Sequence, residues 1–165
     1  MSGHVAAIYP GSFDPVTNGH LDIVDRARKI FSRVVVAILL NSEKKPMFTV
    51  EERFEMLSQV THHWDNVEVD TFDGLLVDYA MKSGARVVLR GIRAVTDYDY
   101  EFQMALMNRR MQPAIETAFM VPAQEYSYLS SSLVKEIYAL GGSVKGLVPS
   151  LVETALAEKI VARSG

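Results

Sequence analysis

The chain has 165 residues, 48% hydrophobic and 22% charged, a composition that excludes a disordered or collagen-like protein and fits one compact domain over residues 1–165. Seventeen Lys and Arg against twenty Asp and Glu, with no cysteine, exclude nucleic-acid binding through bulk positive charge, disulfides, thiolate catalysis and Cys-held metals. The longest wholly apolar run, residues 34–40, has 7 residues where a membrane helix needs about 20, and residues 1–4 do not resemble a secretory signal, so a soluble cytoplasmic protein with no membrane partner is expected.

Short β-branched runs alternate with longer amphipathic stretches. That is the pattern of an α/β fold, here a Rossmann-like, doubly wound, five-stranded parallel sheet with helices on both faces. The first strand is expected over residues 5–9, ended by Pro10-Gly11. A helix follows over 18–31, with Leu21, Val24, Ala27 and Ile30 on one face. Residues 34–40 are apolar on both faces, as in a central parallel strand. Thr49-Val50-Glu51-Glu52 has capping-box spacing and opens a helix carrying Phe54, Leu57 and Val60, before a strand over 67–71.

A helix is expected over 74–83, stopped by Gly84, and a strand over 86–90. Residues 98–111 read as a helix with Phe102, Ala105 and Leu106 turned inward, and Gln112-Pro113 ends it before a fifth strand over 117–121. Met104, Met107 and Met111 lie at helical spacing and are expected to fill core or interface gaps. Ser130, Ser131 and Ser132 offer cap hydroxyls for a helix reaching residue 140. Gly141-Gly142 end it, and Pro149 begins a last helix to residue 161.

Four stretches carry chemistry. Tyr9-Pro10-Gly11-Ser12-Phe13-Asp14-Pro15-Val16-Thr17-Asn18-Gly19-His20 joins a strand to a helix, the place where open α/β sheets bind ligands and where helix N–H groups meet anions. Arg90-Gly91-Ile92-Arg93 sits at another strand end, with planar, permanently charged donors suited to phosphate. Tyr126-Ser127-Tyr128-Leu129-Ser130-Ser131-Ser132 places hydroxyls before a helix, where they can cap it or hold a triphosphate. Lys44-Lys45-Pro46 follows the second strand, and a lysine there either faces the crevice or is solvated. Arg109-Arg110 read as a helix face or subunit contact, and His62-His63 as surface residues. No dinucleotide fingerprint, serine nucleophile elbow or His-Glu-x-x-His metal helix is present, so no protein-held metal is expected.

Together, in this order, these segments resemble the bacterial phosphopantetheine adenylyltransferases, of the nucleotidyltransferase α/β phosphodiesterase superfamily. The resemblance covers about residues 5–160, and Thr17-Asn18-Gly19-His20 matches that superfamily's Thr-x-Gly-His form. It implies transfer of adenylyl from ATP to 4′-phosphopantetheine with Mg²⁺, giving dephospho-CoA and pyrophosphate, in a homohexamer. By position it assigns Ser12, Phe13, His20, Gly91, Ile92, Arg93, Glu101 and Tyr126 to Ser132 to ATP. It assigns Ser12, Lys44, Leu76 and Arg90 to phosphopantetheine, with His20, Lys44 and Arg90 serving catalysis. Ser12 stands where the family often has Thr, and Tyr126 where it often has Trp. An acceptor phosphate is mostly dianionic at neutral pH, its second pKa being about 6, so the implied transfer needs no general base. Two other readings stay open: a superfamily relative using nicotinate mononucleotide or a small alcohol phosphate, and a flavodoxin-like module that binds ATP without chemistry.

Overall fold

The computed structural model describes residues 3–42 and 44–165. Its strands are β1 (Ala6–Gly11), β2 (Arg33–Leu39), β3 (Val67–Phe72), β4 (Val87–Gly91) and β5 (Glu116–Met120). Its helices are α1 (Asn18–Ala27), α2 (Val50–Thr61), α3 (Leu76–Lys82), α4 (Val95–Met111), α5 (Ser131–Ala139) and α6 (Ser150–Ser164), with a 3₁₀ turn at Gln124–Tyr126. All strand pairs are parallel, in the order β3-β2-β1-β4-β5. The expected α/β class and five-stranded parallel sheet are therefore present.

Val34, Val36 and Ile38 of β2 join one core cluster, and Val35 and Ala37 the other, which accounts for a run that is apolar throughout. Ile23 and Val24 of α1, Leu57 of α2, Val134 of α5 and Leu156 of α6 cover the first face. Ala80 of α3 covers the second, with Phe72, Val88 and Ile115.

The chain runs outward from β1 to β3 and then crosses back to add β4 and β5 on the other side. The reversal falls between β1 and β4. β1 stays in register with β2 from Ala6↔Arg33 to Gly11↔Ile38, whereas its pairing to β4 comprises only Ala7↔Val87 and Ile8↔Val88. Beyond Ile8 these two strands part, and a crevice opens at their carboxyl ends. Pro10 and Gly11 belong to β1 rather than ending it. The ladder to β4 has already stopped, so the missing N–H of Pro10 leaves no bond to β4 unmade.

Thr17 and Thr49 each close a capping box, with His20 and Glu52 respectively. Gly84 and Gly141 adopt φ of 75° and 83° at the ends of their helices, the left-handed conformation expected there. Other expectations fail. α1 stops at Ala27 because the N–H groups of Ile30 and Phe31 both return to the Ala27 carbonyl, and the resulting turn leaves Ile30 69% exposed. Phe102 and Leu106 of α4 are exposed rather than inward, and Met104, Met107 and Met111, exposed as well, fill no core gap of the chain itself. Among the described side chains of α4 the buried ones are polar, Glu101 and Asn108. Helical spacing located an apolar stripe there; it could not say that β5, through Thr117 and Phe119, covers that stripe only in part.

Thr49→Ala should lower unfolding stability by about 1 kcal/mol through loss of the α2 cap, with the urea m-value unchanged, as measured by urea denaturation.

Candidate active site

The connection from β1 to α1 is held from several directions. Arg53 of α2, itself buried, donates from Nη1 to the Ser12 carbonyl at 2.8 Å. Ser131 Oγ of α5 donates to the Pro15 carbonyl at 2.7 Å. Phe13 takes φ of +48°, which aims its ring edge-on at His20, 5.0 Å between centroids. Tyr9 packs against Phe13 at 5.5 Å. A Cβ on Gly11 would lie 3.1 Å from the Phe13 ring, so a larger residue there would press on that ring.

The protonation of His20 follows from its neighbours. The Thr17 backbone N–H donates to its Nδ1 at 3.0 Å, and the His20 N–H donates to Thr17 Oγ1 at 3.3 Å. Burial disfavours the imidazolium, and the charges of Arg93 and Arg90 add to that, so the pKa is pulled down to about 4. A neutral ring whose Nδ1 accepts must carry its proton on Nε2. His20 is thus a fixed donor toward the cavity it lines and not a base.

Both arginines expected to face the site are paired. Arg90 forms a fork with Glu101, at 2.7 Å from Nε and 2.6 Å from Nη2, and donates from Nη1 to the Pro10 carbonyl at 3.1 Å. That last bond bridges the gap where β1 and β4 no longer pair. Arg93 donates from Nε to Asp97 at 3.1 Å and from Nη1 to the Leu129 carbonyl at 3.1 Å, tying the end of β4 to the segment before α5. A Cβ on Gly91 would lie 3.1 Å from Ile23 Cδ1, so a larger residue there would press on the side chain that packs from α1.

Two cavities meet along this line. The first, about 310 Å³, is lined by Ser12, Phe13, His20, Gly91, Arg93, Glu101, Tyr126, Leu129, Ser130, Ser131 and Ser132. The first turns of α1 and α5 both face it, through Gly19 with His20 and through Ser131 with Ser132. The second, about 430 Å³, has apolar walls from Leu39, Phe72, Leu76, Met104 and Met111. Pro10, Gly11, Ser12, Arg90 and Glu101 border both.

Other sequence candidates lie outside this pair of cavities. Ile92 lines neither, and its N–H donates to the Met120 carbonyl at 3.0 Å. Ser127 Oγ donates to the Gln124 carbonyl at 2.9 Å, and Tyr128 is exposed. Lys44 is exposed and lines neither cavity. Ser130, unlike these, lines the first cavity and also caps α5, its Oγ accepting the Leu133 N–H at 3.1 Å. Arg109 pairs with Glu116 at 2.9 Å, and His62 and His63 are exposed.

Sequence reasoning missed Asp97, Arg53 and Lys135, and assigned Asp14 no partner. Asp14 is fully buried and accepts from the Met47 N–H at 2.9 Å, the Phe48 N–H at 2.8 Å and Lys135 Nζ at 3.0 Å. Burial alone would raise this carboxyl's pKa; the two amides and Lys135 outweigh it and hold the pKa below the ordinary value. Its partners lie 33, 34 and 121 residues away, so no local pattern announces them. Among the described residues no group of three or more His, Cys, Asp or Glu could hold a metal ion, and no helix is long and apolar enough to cross a membrane.

Residues 8–137 match the cytidylyltransferase-like family. A phosphopantetheine adenylyltransferase of Heliobacterium modesticaldum is 53% identical to this chain, covering 93% of it and 91% of the relative. One of Desulfosudis oleivorans is 53% identical over 93% of this chain and 92% of the relative. One of Alkaliphilus metalliredigens is 52% identical over 92% and 97%.

The folded-state pKa of His20 lies below the ordinary 6.5. The unfolded chain therefore binds more protons between about pH 6.5 and 4, and this residue's contribution makes stability fall as pH drops through that window. The His20 Hε1 resonance should accordingly stay flat from about pH 8 to about 5.5 by NMR. A midpoint near the ordinary histidine value would contradict the assigned tautomer.

Proposed function

Because the chain belongs to the phosphopantetheine adenylyltransferase family of nucleotidyltransferases, we propose that it moves the adenylyl group of ATP onto the phosphate of 4′-phosphopantetheine. The products are pyrophosphate and dephospho-CoA. The observation that carries the reading is the meeting of two unlike cavities at Ser12, Arg90 and Glu101. One is polar and faced by two helix N-termini, which suits a triphosphate. The other is walled by aliphatic and thioether side chains, which suits the pantetheine arm.

The acceptor phosphate attacks the α-phosphorus in line, and the bond to pyrophosphate breaks on the opposite side. No covalent enzyme intermediate is needed. In keeping with that, the one histidine lining the donor cavity cannot accept a proton on Nδ1, and the hydroxyls of Ser130 and Ser131 already serve the α5 cap and the Pro15 carbonyl. The acceptor, mostly dianionic at neutral pH, needs no base. The work left to the chain is alignment and charge stabilisation: His20 Nε2–H meets charge growing on the α-phosphate, and Arg90 faces the acceptor phosphate beside Ser12. Lys44 joins Arg90 in this reading by a movement of its connection toward the second cavity.

The carboxylates nearest the triphosphate site, Asp97 and Glu101, are both engaged by arginines, so the residues do not fit a resident metal. Mg²⁺ belongs to this proposal as the companion of ATP, that is, as part of the substrate. A homohexamer belongs to it as well, supported by the exposure of Tyr98, Phe102, Leu106 and Met107 on α4, which β5 covers only in part. Cytoplasmic location completes the proposal.

Pyrophosphate should appear only when ATP, Mg²⁺ and 4′-phosphopantetheine are all supplied, and dephospho-CoA with pyrophosphate should regenerate ATP. Preferred turnover of nicotinate mononucleotide in the same coupled assay would overturn the assignment. His20→Ala should lower kcat by about 10²–10³ with a much smaller change in the ATP dissociation constant, since the lost hydrogen bond matters mainly in the transition state. Stopped-flow turnover and calorimetric ATP titration on the folded variant check this.

A further inference from the structure

Asp14 does not line either cavity, yet it gathers contacts from both sides of the site. One carboxylate oxygen accepts from the Phe48 N–H; the other accepts from the Met47 N–H and from Lys135 Nζ. Met47 and Phe48 close the β2–α2 connection that carries Lys44, the acceptor-side lysine. Lys135 lies on α5, whose first turn, with Ser130 to Ser132, lines the donor cavity. Asp14 itself is two residues past Ser12, which borders both cavities. A fully buried charge with three donors from two distant segments, each on a different side of the reaction, does more than fill a hole in a core.

We propose that Asp14 is a positioning residue for adenylyl transfer, holding the acceptor-side connection through the amides of residues 47 and 48 and the donor-side helix α5 through Lys135. The inference rests on the reading of the site given above. Two contacts then join α5 to the β1–α1 connection, Lys135 to Asp14 and Ser131 to the Pro15 carbonyl. Removal of either lets the donor-side hydroxyls drift relative to Ser12. The amide contacts set where the acceptor-side connection enters α2. In Asp14→Asn the carboxamide NH₂ must face at least one of three donors, so the swap cannot be silent despite equal size.

Lys135 is the safer handle, since its side chain is 20% exposed and its loss leaves Asp14 still bonded to two amides. Lys135→Met should raise the KM for ATP by about fivefold or more, with the KM for 4′-phosphopantetheine moving less. Lys135→Arg, which restores the cation, should return the KM for ATP close to that of the unaltered chain. Asp14→Asn, if it folds, should raise both Michaelis constants, and Lys44→Ala should add little in that background because the connection is already displaced. The unaltered enzyme is assayed first with ATP and 4′-phosphopantetheine: absence of pyrophosphate there removes the functional reading, not the contact. With turnover established, two results overturn the positioning role: a Lys135→Met enzyme with lowered Tm but both KM values unmoved, or a Lys135→Arg enzyme as impaired as Lys135→Met.

Discussion

The site depends on a ladder that stops. β1 and β4 are neighbours in the middle of the sheet, yet they share only two registered pairs, and beyond Ile8 the strands separate. The topology requires a reversal of winding at this point, so the helices following β1 and β4 leave toward opposite faces. Every polar group assigned a role stands around the resulting gap, on the loop after β1, at the end of β4, or on a segment tied to one of them. The Arg90 guanidinium reaches the Pro10 carbonyl across it, taking over where strand pairing ends.

Charge is handled with some economy inside this gap. Arg90 and Arg93 are each balanced by a carboxylate from α4, Glu101 and Asp97, and both donate to main-chain carbonyls as well. His20 stays neutral beside them because burial and their charges both oppose a second cation. An empty site with three unpaired positive groups would repel itself; this one is poised with donors oriented and little net charge.

The capping motifs show how local and distant requirements share residues. Thr17 and His20 form a capping box of the kind that starts many helices, and one of its two bonds, from the Thr17 N–H to Nδ1, also fixes the tautomer of a ring facing the cavity. Ser130 likewise caps α5 while lining the donor cavity. Structural and functional readings of these residues are therefore not alternatives: the cap holds the side chain where the chemistry needs it.

The strands, the helices, the Thr49 capping box and the glycine stops were legible locally, because hydrophobic period and cap spacing are properties of neighbouring residues. The loop after β1 and the segments at Arg90 and Ser130 were legible too, since strand-to-helix connections rich in donors are recognisable one at a time. Three things were not. The apolar stripe of α4 was read as buried, whereas β5 covers it only in part, because a period of 3.6 gives a stripe without saying how much of it a neighbour covers. The pairing of Arg90 with Glu101 and the protonation of His20 depend on groups that folding brings together. Asp14 looked like half of an Asp-Pro connection, and its significance lies in partners 33, 34 and 121 residues away. Local sequence determined which elements form and which loops carry donors. The tertiary structure alone decided how those donors are paired and charged, because electrostatic energies depend on distances in space that chain spacing does not specify.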